Sequence, residues 1–327
     1  MGNRVPSVSV VVITRDRPRD LDVCLRAVLS STFRDFELVV VDQSAQSASA
    51  QLVGQLATQD SRVRHMPDAG TGAARARNVG SAATRGDIVV FTDDDCEPEP
   101  AWLGSLVGSL RDDPGAGIAY GSVIPRAHDR QDGFIVGFVP KQRMRLKGRL
   151  SKLRDAGISA NVALRRGALE ATGGFDELLG PGSYFPCAED FDMTYRVLSQ
   201  GYALLHVPEA RVVHHGLRDW RSGSGLVNRT YVAVGAAYMK HLRLRDVMGL
   251  VLLTHELRLA VFNIVHNALR GRGPFGFGRL RGLLMGTWRS FELDVDQRGA
   301  MYRQRYRAIA TASQPLGQEA VLGAASE

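Results

Sequence analysis

Two acidic clusters in this chain have the residue types and spacing to do chemistry: Asp93-Asp94-Asp95 and Glu189-Asp190-Phe191-Asp192. Three adjacent carboxylates at the end of a buried strand repel one another, and in low dielectric each raises its neighbours' pKa. A hard divalent cation removes that conflict, because Mg2+ and Mn2+ prefer carboxylate oxygens and keep coordination places for substrate phosphates. The plainer alternative is a solvated strand-to-helix turn whose acids cap a helix at Ala101. In the second cluster, acids at a helix start favour the helix dipole. The same dipole keeps a carboxylate ionised, as a general base requires. Further on, His214 and His215 end an apolar run. One imidazole there can ligate a metal or sit in the core. Arg77, on an Ala-rich segment after Gly70-Thr71-Gly72, can meet a phosphate or a base, or serve as a solvated helix cation.

The elements that must carry these residues follow from hydrophobic period. Residues 7–14 form a short continuous apolar run, as a strand buried on both faces requires. Leu21, Cys24, Leu25, Val28 and Leu29 then recur at helical spacing. Strands are expected at 37–41, 63–66, 87–91, 118–124, 158–164, 202–207 and 210–213. Helices are expected around 51–58, 73–84, 101–110, from 188 to Gly201, from 227 to 270 and at 279–291. The βαβα alternation of the first hundred residues indicates an α/β layer with a parallel sheet. Ligands of such sheets bind beyond the carboxyl ends of the strands, where Thr14-Arg15, Asp42 and Asp93–Asp95 fall. The Gly70–Asn78 stretch lacks the third glycine of a dinucleotide fingerprint and does not follow the first strand, so a Rossmann coenzyme site is not expected.

At 327 residues, with 44% hydrophobic and 23% charged, the chain has room for one large domain plus an appendage. That composition excludes a wholly disordered or collagen-like protein. Three scattered cysteines cannot make a disulfide framework or a thiolate zinc site, which points to a reduced, cytoplasmic compartment. The N-terminus has no signal-peptide profile. No uninterrupted apolar run reaches the roughly 18 residues of a spanning helix. The net charge of +7 is uneven: residues 1–100 carry 11 Arg/Lys against 14 Asp/Glu, and residues 221–327 carry 15 against 7. Without a helix-turn-helix, zinc-finger or aromatic RNA-binding signature, that basicity does not indicate nucleic acid.

Taken in order, Val10–Thr14 (VVVIT), Val39–Asp42 (VVVD), Ala76–Gly80 (ARNVG), Asp93–Asp95, Gly173–Asp176 (GGFD), Glu189–Asp192 (EDFD) and Pro208–His214 (PEARVVH) form a series. The series resembles the inverting family 2 glycosyltransferases of GT-A fold, of the bacterial cell-envelope polysaccharide type, over roughly residues 8–216. The resemblance implies an α/β protein with a mixed, mainly parallel sheet flanked by helices, and a C-terminal helical appendage. Residues 1–220 would be the catalytic domain, with a donor half to about 125 and an acceptor half over 126–220. Residues 221–307 would be a helical, basic region and 308–327 a disordered tail.

The implied activity is a hexosyl- or deoxyhexosyltransferase taking a UDP-, dTDP- or GDP-linked sugar to a hydroxyl of a glycan or lipid-linked glycan, with Mg2+ or Mn2+. On the donor side the resemblance assigns Thr14, Arg15, Asp42, Arg77, Asp93 and Asp94. It assigns the metal to Asp95 and to His214, with His215 one residue away as the alternative ligand. It makes Asp190 the general base, with Glu189 and Asp192 on the acceptor side. A sugar-phosphate nucleotidyltransferase and a noncatalytic nucleotide-sugar binding module are the rival classes. The former wants a glycine-rich basic loop after the first strand, and residues 14–19 contain no glycine.

The appendage can be read in two ways. Val247, Leu250, Val251, Leu257, Val261, Ile264, Val265 and Ala268 share one helical face, which could pack on the catalytic domain or on another subunit. Arg270, Arg272, Arg279, Arg281 and Arg289, set among Phe275, Phe277, Trp288 and Phe291, instead suit an anionic membrane surface at the inner face of the cell membrane. Residues 141–154, with seven cations, would then lie near the phosphates of a lipid-linked acceptor.

Overall fold

The computed structural model describes residues 6–129, 131–153, 157–220, 225–271, 276–297 and 299–305. The expected tail at 308–327, and Arg272 and Phe275, lie outside them. The chain opens with β1 (Val8–Thr14), α1 (Pro18–Leu29), β2 (Phe36–Asp42), α2 (Ala48–Gln59), β3 (Val63–Pro67), α3 (Ala73–Ala82) and β4 (Ile88–Asp93). There follow β5 (Cys96–Pro98), α4 (Trp102–Asp112), β6 (Ala116–Pro125), β7 (Phe134–Ile135), β8 (Met144–Lys147), β9 (Asn161–Arg165), α5 (Arg166–Thr172), α6 (Glu189–Ser199), β10 (Ala203–His214) and β11 (Leu217–Arg218). The appendage comprises α7 (Leu226–Arg243), α8 (Val247–Leu269), α9 (Phe277–Arg289), β12 (Asp294–Asp296) and β13 (Met301–Arg303).

One large sheet runs β3-β2-β1-β4-β9-β6-β10-β5, with β8 also on β10. Its β3-β2-β1-β4 stretch is parallel, β9 is antiparallel to both β4 and β6, and β10 is parallel to β6. The sheet is therefore mixed, with helices on both faces. Alternate side chains of β1 divide between the two cores. Val8, Val10 and Val12 pack with Leu21, Leu25, Trp102 and Leu106, whereas Val11 packs with Ala74, Ala76, Leu169 and Met193. On the second face α3 comes close to the sheet. A Cβ on Gly80 would stand 2.4 Å from Val11 and 3.0 Å from Val41, so only glycine permits the approach that carries Arg77 to the strand ends.

Two expectations are revised. The strands expected at 202–207 and 210–213 are one strand, β10, with an irregularity between Val207 and Arg211. Pro208 cannot donate to the ladder, and Asn161 fills the gap, donating to Ala210 O at 2.8 Å and Ser122 O at 2.9 Å. The helix expected over 227–270 is two helices. Arg245 turns the chain at φ 63°, and Asp246 caps α8 by accepting from the Met248 amide at 3.0 Å.

A third core joins Leu179, Phe185, Ala188 and Tyr195 to Val232, Ala236, Leu252, Leu283 and Tyr302. The appendage thus packs against the segment that carries the second acidic cluster. Counting uninterrupted apolar residues missed one property of α8: over 23 residues it is long and apolar enough, by length and composition, to cross a membrane despite His255, Glu256 and Arg258. Its packed face is Gly249, Leu252, Leu253 and Ala260. Val247, Leu250, Val251, Val261 and Val265, from the face grouped by periodicity, are exposed, and so are Phe262, Leu269 and Trp288.

Candidate active site

The parallel register brings the strand ends together: Thr14 pairs with Asp42, and Ile13 with Asp93. The acidic triplet then divides, with Asp94 and Asp95 sharing one arginine. Asp93 accepts from Arg77 Nη2 at 2.8 Å. Asp94 accepts from Thr14 Oγ1 at 2.8 Å and from Arg17 Nη1 at 3.1 Å. Asp95 accepts from the same Arg17 nitrogen at 2.9 Å and faces His214 Nε2 at 3.4 Å. Burial dominates at Asp94 and pushes its carboxyl up to about 7. Burial also opposes ionisation at Asp95, but His214 and Arg17 outweigh it and hold that carboxyl below its ordinary range.

Asp42, beside Thr14, accepts from the Ser44 amide at 2.9 Å and meets His65 Nε2 at 3.1 Å. Gln43 donates to Asp68 at 2.8 Å and accepts from the Gly72 amide at 3.1 Å, which ties the end of β2 to the start of α3. Arg15 does not join this group. Its side chain is exposed, with Asp16 at 3.8 Å, and Arg17, two residues on, takes the place beside the acids.

Asp95, Cys96 and His214 offer ligand atoms within 4.8 Å of one another. The His214 ring is set for coordination: Nδ1 donates to Val136 O at 2.7 Å, so Nε2 is directed at Asp95. Burial lowers the pKa of this imidazole, yet Asp95 raises it above the ordinary value. A Cβ on Gly216 would stand 2.7 Å from Asp95 Oδ2 and 2.8 Å from His214 Nε2, so the missing side chain keeps that space open. Carboxylate and phosphate oxygens suit Mg2+ or Mn2+, and the imidazole donor favours Mn2+, the less hard of the two. The Cys96 thiol, raised by burial, is the poorer donor for so hard an ion. His215 points elsewhere, to Glu97 at 3.0 Å. These donors fit a divalent cation.

The second cluster begins α6. Ala188, immediately before it, is left-handed at φ 77°, a conformation an L-residue holds only where its surroundings impose it. Glu189 Oε1 lies 3.4 Å from Arg77 Nη1, so one guanidinium spans the donor-side Asp93 and the helix-side Glu189. Burial would lower the pKa of Arg77, but Asp93, Glu189 and Asp190 hold it firmly charged. Burial and the neighbouring Asp190 push Glu189 up to about 8. Burial also raises Asp190, opposed by Arg77 and by the Ser159 hydroxyl, which donates to Asp190 Oδ1. Two carboxyl groups raised together in this way titrate as a coupled pair. Asp192, about 200° around the helix from Asp190, faces away from this group. It is fully buried and bonded to Arg196 at 2.8 Å, Lys240 at 2.7 Å and His241 at 3.0 Å. The structure therefore separates Asp192 from the other two acids of its motif.

Arg17, Ser159 and Gly216 are the site residues that sequence reasoning missed. Arg17 carried a faint signal, as a cation three residues beyond a strand end. Ser159 and Gly216 carried none.

The family model of glycosyl transferase family 2 matches residues 9–173, half of the chain, and the chain belongs to that family. Among its relatives, "Glycosyltransferase AglE" of Haloferax volcanii is 29% identical over 213 residues, covering 62% of this chain and 65% of that protein. The "Pre-mycofactocin glycosyltransferase" of Mycobacterium tuberculosis is 31% identical over 230 residues, covering 65% of this chain and 44% of its own length. The chain thus spans less than two thirds of either relative. In fold it is similar to a mannosyltransferase of Pyrobaculum calidifontis solved with GDP-Man and Mn2+, with TM-score 0.58, 18% identity and 88% of each chain covered. It is also similar to GalNAc-T7 solved with UDP, GalNAc and Mn2+, with TM-score 0.53, 19% identity, and 72% and 48% of the two chains covered.

Proposed function

We propose that this family 2 member transfers a sugar from a nucleoside-diphosphate sugar to a hydroxyl, with inversion and with a divalent cation. One observation carries the reading: Arg77 spans Asp93, at the donor-side strand ends, and Glu189, the neighbour of Asp190. A base and a charge-neutralising group on opposite faces of one reacting carbon are what direct displacement needs. Thr14, Asp42 and Asp93 would line the nucleoside, with Arg17 and Arg77 near the diphosphate. Asp95 and His214 would hold Mg2+ or Mn2+, which neutralises the leaving diphosphate when bound. Asp190 accepts the acceptor hydroxyl's proton while that oxygen bonds the anomeric carbon. The bond from that carbon to the diphosphate oxygen breaks, and its electron pair leaves with the nucleotide. Glu189, holding a proton at neutral pH, donates a hydrogen bond to the acceptor and orients it.

The acceptor we propose is a glycan on a lipid carrier, reached at the inner face of the cytoplasmic membrane. The exposed apolar residues of α8 and α9 support this, because large apolar side chains exposed in such number on neighbouring helices suit a lipid surface. In residues 141–154, Arg143, Arg145 and Arg149 are held by Glu209, by Asp113 at 2.6 Å and by Asp246 at 2.7 Å, which among the described side chains leaves Lys141 and Lys147 for phosphates. Nucleotide release from a panel of UDP-, dTDP- and GDP-sugars, with and without Mn2+, tests the reading. Metal-dependent release from one donor is expected. Release of pyrophosphate from a nucleoside triphosphate and a sugar phosphate would indicate a nucleotidyltransferase instead.

A further inference from the structure

Lys240, in α7 of the appendage, is fully buried, and so are both of its carboxylate partners. Its Nζ donates to Asp176 Oδ2 at 2.6 Å and lies 2.7 Å from Asp192 Oδ1. Around it stand Arg196, which pairs with Asp192, His241, 3.0 Å from the same carboxylate, and Tyr302, whose amide donates to Asp176 at 2.9 Å. Burying that many charges is a poor way to gain stability, since well-packed apolar residues often do as well or better. What such a cluster can fix is geometry.

The two carboxylates belong to different parts of the site. Asp176 lies in the segment next to Phe175, whose amide donates to Asn78 Oδ1 at 2.7 Å and whose carbonyl accepts from Asn78 Nδ2 at 2.9 Å. Asn78 is the α3 neighbour of Arg77. Asp192 lies in the first turn of α6, beside Glu189 and Asp190. One ammonium therefore clamps the α3-linked segment to the first turn of α6. Those two elements supply the two sides of the Arg77–Glu189 contact. We propose that Lys240 is a positioning residue: from the appendage it sets the spacing between the donor-side helix α3 and the base-bearing turn of α6.

Lys240→Met keeps most of the buried stem and removes the clamp. Hydrogen exchange followed by mass spectrometry should then rise at least tenfold in the amides of 174–180 and 189–193. Amides of β1 and β2 should rise by less, and the melting temperature should fall, because removing the ammonium strands two buried carboxylates. This readout needs no substrate. A second readout rests on Asp190 as the base of glycosyl transfer: kcat for nucleotide release should fall at least tenfold while donor KM changes less than twofold, and Lys240→Arg should recover part of kcat. Should the wild type release no nucleotide, the functional reading fails, and the exchange result still decides the positioning. If Lys240→Met does not fold, Asp176→Asn/Lys240→Gln, which keeps an amide hydrogen bond without charge, is measured the same way. Unchanged exchange in 189–193 in a folded variant overturns the proposal, as does a rise spread evenly over the whole protein.

Discussion

Arg77 Nη1 and Glu189 Oε1 stand 3.4 Å apart although 112 residues separate them in the chain. The contact closes the gap between the ends of the parallel strands and the first turn of α6. It is also incomplete, since among the described residues Arg77 Nε finds no hydrogen-bond partner although it is buried. With Glu189 raised to about 8 and protonated at neutral pH, the buried guanidinium keeps part of its charge for an anionic substrate.

Arg77→Met should weaken nucleotide-sugar binding by at least tenfold and cost about 1–3 kcal/mol of stability, the usual penalty for leaving a buried polar partner unmatched. The larger loss expected of a broken buried ion pair, about 3–5 kcal/mol, is avoided because Glu189, raised to about 8, already holds a proton at neutral pH and is not left as an unpaired buried charge. Calorimetric titration and urea unfolding of the same variant check the two figures.

Activity and stability should move in opposite directions with pH. Turnover should rise with pH as the Glu189–Asp190 pair loses protons and Asp190 becomes the ionised base. Glu189 has its folded pKa raised, to about 8. Between the ordinary glutamate value, near 4.5, and about 8, the folded state therefore binds more protons than the unfolded one, and this group's contribution to stability falls as pH rises. In Glu189→Gln that part of the decline should disappear. A decline identical to the wild type's would show that Glu189 titrates normally.

Much of this was legible in the sequence, for identifiable reasons. The strands that carry Thr14, Asp42 and Asp93 are continuous β-branched runs ending in polar residues, and burial on both faces of a sheet leaves few other readings. The contacts that complete the site were not legible. Ser159 meets Asp190, Arg17 meets Asp94 and Asp95, and Lys240 meets Asp192 only through tertiary approach, which period and spacing do not encode. The resemblance places Asp192 on the acceptor side with Glu189 and Asp190. Two residues along a helix, however, is more than half a turn, and that rotation sends the carboxylate into the appendage.

Gly216→Ala should leave the fold intact, because this position needs no left-handed backbone, and yet lower Mn2+ affinity by at least tenfold. The added methyl would occupy the space between Asp95 and His214. Mn2+ binding followed by electron paramagnetic resonance reads this directly, and wild-type affinity in the variant would remove the cation from that gap.

Vesicles containing anionic phosphatidylglycerol should bind the protein, and binding should fall as salt rises, since exposed charge attraction is screened over about 8–10 Å at physiological ionic strength. Replacing the exposed Phe262 and Trp288 with Ser should reduce binding at every salt concentration. Equal partition onto neutral phosphatidylcholine vesicles would mean that the arginines of the appendage do not steer it.

Asp190→Asn tests most directly whether Asp190 takes the acceptor's proton. The amide keeps the size of the side chain and its bond from Ser159 but cannot accept the proton. Nucleotide-sugar binding and acceptor turnover should be measured on the same folded variant. Binding within about twofold of wild type, with turnover reduced by about 10²–10⁴, the usual worth of a general base, is the predicted result. Turnover close to wild type with binding retained would contradict it and move the base to another residue.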